Sequence, residues 1–200
     1  MNERDIPHAR DEVKTWMYSI EQEPAHTLQV ARLALQVFDQ LQPLHGHGAI
    51  PRFYLEAASM LHDVGWTAVR DGKGHHKHSA RMIREQSWKH LDPHEVAVVG
   101  VIARYHRKAL PSIEHPEFEA LDANQRRLVE CLASMLRLAD GLDRAHLQRV
   151  DRVTLTVLPL RLRVQLISEA LELKAELAAA RKKGDLLRIH FGRALEIHLD

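Results

Sequence analysis

Residues 53–66 read FYLEAASMLHDVGW, the most informative segment of the chain. Its apolar residues recur with helical periodicity, Pro51 predicts the start of the helix, and Gly65 predicts its end. His62 and Asp63 therefore stand side by side at a helix terminus. An adjacent imidazole and carboxylate can share one divalent cation, or a pair of them, if other helices supply further ligands. The doublet thus indicates a helical protein with a metal site at a helix end.

Two further ligand-type side chains fall on other predicted helices. His26 stands 36 residues before His62, in the first turn of a helix. Asp140 stands 77 residues after Asp63, at the exit of a helix predicted over 124–138. Imidazole nitrogens and carboxylate oxygens suit Mn, Fe, Co, Ni or Zn, and a carboxylate-rich variant admits Mg. We therefore expect one of these divalent metals to be bound by His26, His62, Asp63 and Asp140.

The segment from Arg70 to Lys108 is rich in cations, with nine Lys or Arg and six His against four acidic residues. Arginine forks and lysine ammonium groups both suit phosphate oxygens, so the segment favours an anionic substrate near the metal. A solvated face of two helices is the other interpretation. His75, His76 and His78 could each bind a metal or an anion, or could simply be polar residues of a flexible loop. If Asp63 bridges two ions, the second metal is expected on His78 and His106. The residues expected to bind substrate phosphate are Lys77, Arg81, Arg104, Arg107 and Lys108.

Composition excludes several classes of protein. The 28 Lys and Arg balance 27 Asp and Glu, which argues against a nucleic-acid binder with a basic surface. Cys131 is the only cysteine, so no disulfide framework or thiolate metal site exists, and its apolar helical surroundings predict a buried, reduced thiol. No basic-then-apolar leader and no long uncharged segment is present, so we expect a cytoplasmic protein without a membrane partner.

The periodicity predicts two structural regions. Up to residue 149 it is helical, with a loop over 66–77, a short helix over 79–88 and an apolar helix over 96–105. From residue 150 apolar and polar residues alternate around Pro159, which predicts a hairpin. A helix over 170–183 and a strand over 194–199 complete a β-β-α-β unit. We therefore divide the chain into a helical domain, 1–149, and a small α+β unit, 150–200, packed on it.

Six motifs in order resemble the C-terminal region of the exopolyphosphatase and guanosine pentaphosphatase (Ppx/GppA) family, over roughly residues 24–200. They are LHDVGW (61–66), GHHKHSARMI (74–83), ARYHRKALP (103–111), HPEFEAL (115–121), LRLADGLDRAH (136–146) and ARKKGDLLRIHFGRALEI (180–197). The set of His26, His62, Asp63 and Asp140, abbreviated H…HD…D, also resembles the HD-domain superfamily of metal-dependent phosphohydrolases. This second resemblance implies a mainly α fold, a helical HD-domain body in which those four side chains bind the catalytic metal.

The resemblance also sets what activity to expect. In the Ppx/GppA family an N-terminal actin-like module hydrolyses polyphosphate or pppGpp, and these 200 residues leave no room for that module. Because the H…HD…D set is intact, we expect a metal-dependent phosphohydrolase with His62 and Asp63 as catalytic residues. Its substrate would be a phosphate ester or anhydride of a nucleotide, polyphosphate or similar phosphorylated anion. The alternatives are a non-catalytic module that binds polyphosphate or a nucleotide, and a dimerisation module that forms a homodimer.

Overall fold

The computed structural model describes all 200 residues and contains nine α-helices and one three-stranded sheet. The helices are α1 (Ile6–Ile20), α2 (Pro24–His45), α3 (Ala49–Leu61), α4 (His75–Glu85), α5 (Pro93–Arg104), α6 (Pro116–Glu119), α7 (Ala123–Gly141), α8 (Lys174–Lys183) and α9 (Asp185–Phe191). The strands are β1 (Arg152–Val157), β2 (Arg161–Ile167) and β3 (Ala194–Leu199). The expected fold class, mainly α with a small β unit near the C-terminus, is confirmed.

The ends of the helices near the His62–Asp63 doublet differ from the prediction. Helix α3 ends at Leu61 instead of continuing to Gly65, and Asp63 precedes a 3-10 turn, Val64–Ala68. Helix α4 begins at His75, where a loop was predicted, because Gly74 at φ 81° turns the chain directly into the helix. The doublet therefore lies in a sharp turn between α3 and α4.

Helix α7 also runs further than its pattern predicts, through Asp140 to Gly141. A Cβ atom on Gly141 would lie 2.8 Å from Cα of Ala180 in α8, so the glycine is required for the two helices to touch. Asp140 is consequently held in the last turn of α7 and not in a loop after it.

The C-terminal unit contains the predicted hairpin and the predicted last strand. β1 pairs with β2 in antiparallel register, and β2 pairs with β3 in parallel register. The alternating residues Leu162, Val164 and Leu166 are fully buried, as strand periodicity requires. The connection between β2 and β3 contains two helices where one was predicted, because the chain continues from α8 through Gly184 directly into α9.

Helix α2 covers the outer edge of the sheet. The side-chain oxygens of Gln36 and Gln40 accept hydrogen bonds from the backbone N–H groups of Val153 (2.9 Å) and Leu155 (2.8 Å), which satisfies donors that an edge strand would otherwise expose. One continuous cluster of buried apolar side chains extends from α1 to β3. The domain boundary at residue 149 remains a prediction.

Two other expectations concern single features. Cys131 is buried in α7 and unpaired, so its placement in the core is confirmed. None of the helices combines the length and the apolar character needed to span a bilayer.

Candidate metal centre

Five helix ends converge at one end of the helical body. His26 lies in the first turn of α2, the His62–Asp63 doublet follows α3, and His75 is the first residue of α4. His106 follows α5, and Asp140 lies in the last turn of α7. All six side chains are buried. Helix ends bring together residues that are far apart in the chain, so a cluster of this kind depends on the whole helical body.

These six side chains form two groups of potential metal ligands. His26, His62 and Asp140 form one group, and Asp63, His75 and His106 form the other, with the ligand atoms of each group within 4.8 Å of one another. Asp63 faces both. Its Oδ2 atom lies 3.9 Å from His26 Nε2 and 3.6 Å from His62 Nε2, while its Oδ1 atom lies 3.2 Å from His75 Nε2 and 3.4 Å from His106 Nε2. Asp63 is therefore the residue that lies between the two groups.

Hydrogen bonds at the outer nitrogens fix the tautomers of the four imidazoles. Each Nδ1 atom lies 2.7–2.9 Å from an oxygen that can only accept, so each Nδ1 carries the proton and each Nε2 presents a lone pair to the cluster. The acceptors are Ser59 O for His62, Gly72 O for His75, Ala103 O for His106 and the Asp143 carboxylate for His26.

Two of the four inner nitrogens have no partner, and Arg107 Nη1 lies 3.2 Å from a third, His75 Nε2. His26 Nε2, His62 Nε2 and Asp63 Oδ1 are buried and have no hydrogen-bond partner. His75 Nε2 and His106 Nε2 lie 3.2 Å apart, and neither has a proton to share with the other. Buried lone pairs that converge in this way are costly unless a cation lies between them. The arrangement therefore fits the nitrogen- and oxygen-bound divalent ions that the sequence predicts.

The pKa values of Asp63 and His106 are both shifted downward. Burial alone would raise the pKa of Asp63, but the neighbouring His62, His75 and His106 rings outweigh it and hold the pKa well below its ordinary value. Burial lowers the pKa of His106 well below its ordinary value, which keeps that ring neutral. A neutral imidazole and an ionised carboxylate are the forms that bind metals.

A cavity of about 360 Å³ opens onto this cluster. Asp63, His75, His106 and Asp140 form part of its lining. Lys183, at the end of α8, contacts the Asp140 carboxylate. Six basic side chains also line it: Arg107, Lys108, Arg137, Arg144, Lys182 and Lys183. The rest of the wall is Trp66, His146, Ala179 and Asp185, and Asp185 is paired with Arg137 at 2.8 Å. The cavity thus places an excess of positive charge directly beside the potential metal ligands.

The structure separates the five residues expected to bind phosphate. Arg107 and Lys108 line the cavity at the cluster, and Lys108 has φ of 62°, a left-handed conformation that is rare for lysine. Lys77 and Arg104 line an adjoining cavity of about 370 Å³, to which Arg107 and Lys108 also contribute. Arg104 is ion-paired with Glu117 at 3.1 Å. Arg81 lines neither cavity; it is exposed and lies near Glu85.

His78 is not brought into either ligand group. Its Nδ1 atom lies 3.2 Å from Arg81 Nη2, on the outer side of α4. The place beside Asp63 and His106 is taken by His75, which sequence reasoning left open.

Sequence reasoning missed the contribution of the C-terminal half of the chain. Lys182 and Lys183 lie beside the predicted helix end at Gly184, and Asp143 and His146 lie three and six residues after Asp140. The basic pair and the motif LRLADGLDRAH were the available signals, but only the fold shows that both reach the cluster.

The comparison with known families agrees with this architecture. The family profile described as Ppx/GppA phosphatase, domain III, matches residues 12–182. The match includes all six potential ligands and five of the six basic side chains that line the cavity at the cluster, and Lys183 lies one residue beyond it. It confirms the resemblance to the Ppx/GppA C-terminal region. The chain belongs to the Ppx/GppA phosphatase family, in which it corresponds to domain III.

Proposed function

We propose that this chain is a metal-dependent phosphohydrolase of the HD type, cleaving a phosphate ester or anhydride of a nucleotide, polyphosphate or similar phosphorylated anion. One observation carries the proposal. The Nε2 atoms of four buried histidines meet two aspartates at the floor of a cavity rich in basic side chains, and those of His26 and His62 have no hydrogen-bond partner. Such a site attracts a cation at its floor and an anion at its mouth, which is the charge pattern that phosphoryl transfer requires.

The two ligand groups divide the metal-binding roles. His26, His62 and Asp140 would hold one ion, His75 and His106 would hold a second, and Asp63 would serve both. The ions, when bound, supply Lewis acidity toward a phosphoryl oxygen and a lowered pKa for an attacking water. His75 would hold the second ion in place of the predicted His78.

The chain's own residues supply substrate binding. Arg107 and Lys108 are held at the cavity by the turn after α5, and Arg144, Lys182 and Lys183 face them from the C-terminal half of the chain. Guanidinium and ammonium groups on both sides of a cavity can bind the phosphate oxygens and neutralise charge that develops at phosphorus. Lys183 would exchange its contact with Asp140 for a substrate oxygen.

The test combines metal analysis with a substrate screen. Protein purified without added metal is analysed for bound ions, then assayed on nucleotides, polyphosphate and cyclic nucleotides with Mn²⁺, Mg²⁺, Co²⁺ or Ni²⁺. We expect His62→Ala and Asp63→Ala to abolish metal-dependent turnover while the circular dichroism stays helical. Asp39→Asn is the control, because Asp39 pairs with Arg52 on the surface, away from the cluster.

Two results would overturn the proposal. Wild-type-like turnover in either ligand variant would show that the cluster is not catalytic. Less than about a tenth of an ion per chain, with no activity restored by Mn²⁺, would favour the non-catalytic polyphosphate- or nucleotide-binding module.

A further inference from the structure

His26 differs from the other three cluster histidines in what holds its outer nitrogen. His62, His75 and His106 each bond a backbone carbonyl three residues earlier, which their own helix or turn supplies. His26 Nδ1 instead lies 2.8 Å from the Oδ2 atom of Asp143, a residue 117 positions away in the chain. The orientation of the His26 ring therefore depends on a side chain and not on local backbone.

Asp143 is a buried carboxylate without a Lys or Arg partner. It is 1 % exposed, and His26 is the only basic side chain within ion-pair distance of it. A second hydrogen bond fixes its orientation, since the backbone N–H of Gln148 donates to Oδ1 at 2.8 Å. The Gln148 side-chain amide lies 3.3 Å from Oδ2. The carboxylate is thus within reach of three donors, and one of its two shortest contacts, both 2.8 Å, is to His26.

The loop that carries Asp143 is strained in a way that serves this contact. His146 and Gln148 have φ of 56° and 50°, which non-glycine residues rarely adopt. The conformation at Gln148 brings its N–H to Asp143, and the His146 ring stacks on the His26 ring at 3.6 Å between centroids and 7° between planes. The loop therefore holds His26 at its face and at its outer nitrogen.

We propose that Asp143 is a positioning residue that acts through His26: it holds the Nδ1–H tautomer and aims Nε2 at the first ligand group. This inference rests on the proposed metal-dependent function but concerns a residue outside both ligand groups. A carboxylate behind a metal-binding histidine typically strengthens metal binding about 10–100-fold.

The test measures metal affinity and ring tautomer, not turnover. Asp143→Asn keeps the shape of the side chain, but its amide cannot accept from both the His26 and Gln148 N–H groups, so one donor is left facing an NH₂ group. In calorimetric titration of the metal-free chain with Co²⁺, we expect an ion to bind about 10–100-fold more weakly than in the wild type. In ¹⁵N-labelled metal-free protein, the Nδ1–H signature of His26 should be lost or mixed.

Two further variants separate positioning from a general structural role. Glu176→Gln is the matched control, because Glu176 is also 1 % exposed and accepts from Ala145 N–H in the same loop without reaching His26. We expect it to change Co²⁺ affinity by less than about twofold. In a His26→Ala background, adding Asp143→Asn should cause no further loss beyond about twofold, since Asp143 acts only through that ring. If Asp143→Asn does not fold, Gln148→Ala replaces it and should weaken Co²⁺ binding in the same direction.

The outcomes distinguish this inference from the proposed function. Wild-type Co²⁺ affinity in Asp143→Asn, or an additive loss in the His26→Ala background, would overturn the role of Asp143 and leave the proposed function standing. A wild type that binds Co²⁺ but hydrolyses no phosphate compound would overturn the proposed function alone. A wild type that binds no divalent ion would overturn both.

Discussion

Substituting Gly65 by alanine tests whether the turn after the His62–Asp63 doublet fixes the second ligand group. A Cβ atom at Gly65 would lie 2.2 Å from the backbone oxygen of His75 and 2.4 Å from the backbone nitrogen of Ser79. Both atoms belong to the first turns of α4, so no flexible side chain can move aside. Restoring ordinary contact near 3.4 Å requires a shift of about 1 Å between the turn and α4.

That shift sets the expected losses of stability and of activity. Overpacking of this kind lowers the free energy of unfolding by about 1–3 kcal/mol, and the hydrogen bond from Gly65 N–H to Ser79 Oγ (2.9 Å) is weakened as well. His75 belongs to α4 and would move with it. Its Nε2 atom would then leave its wild-type position, 3.2 Å from Asp63 Oδ1. A misplacement of about 1 Å can cost about 100-fold in rate, so we expect Gly65→Ala to lose most activity and one of two ions.

Urea unfolding and metal analysis of the same preparation check both magnitudes. Gly48→Ala is the control, because Gly48 precedes α3 on the surface and a Cβ atom there meets nothing within 4 Å. Its metal content should match the wild type, and its loss of stability should stay below about 1 kcal/mol. Gly65→Ala protein that unfolds at the wild-type urea midpoint and binds two ions would refute the reasoning.

Three further predictions address charge, the thiol and the core. Lys183→Met removes the cation that contacts Asp140. We therefore expect about tenfold tighter Mn²⁺ binding by calorimetry and about tenfold lower kcat/KM. Weaker Mn²⁺ binding would contradict this prediction. Burial raises the pKa of Cys131 to about 12 from 9.0, so at pH 8 its thiolate fraction is about 1,000-fold lower than in the unfolded chain. Iodoacetamide should therefore label Cys131 only after denaturation. Any labelling of the native protein should increase as the pH rises. Leu132→Ala empties a fully buried position and should lower the free energy of unfolding by about 2–5 kcal/mol in urea; a loss under about 1 kcal/mol would show that the core relaxes around it.

The helical body could be predicted because its signals are local. Apolar periodicity located α2, α3, α5 and α7, and His26 and the doublet fell at helix ends where the structure has them. The alternating pattern of Leu162, Val164 and Leu166 was enough to identify a strand. Helix boundaries were less predictable, since Gly65 and Gly141 are required by contacts with α4 and α8 that the sequence does not show.

The choice between His75 and His78 shows where a local signal was present but not used. The buried face of α4 consists of His75, His76, Ser79, Ala80 and Ile83, in steps of one, three or four residues. Counting back from Ile83 in steps of four gives Ser79 and then His75, whereas His78 falls outside this face. That count requires the helix to begin at His75. A predicted loop over 66–77 excludes that start, so His78 was expected as a ligand instead of His75.

The basic wall of the cavity could not have been placed from sequence, because it depends on how α8 packs. Gly141 allows α7 to approach Ala180 closely, and Lys183 lies about one helical turn beyond Ala180 while Asp140 adjoins Gly141. This one close contact therefore brings the ammonium group to the carboxylate and sets Lys182 along the cavity. The potential metal ligands come from the helical region, but part of the charge that would bind an anion comes from residues after 179. The C-terminal unit is thus part of the site and not an appendage to it.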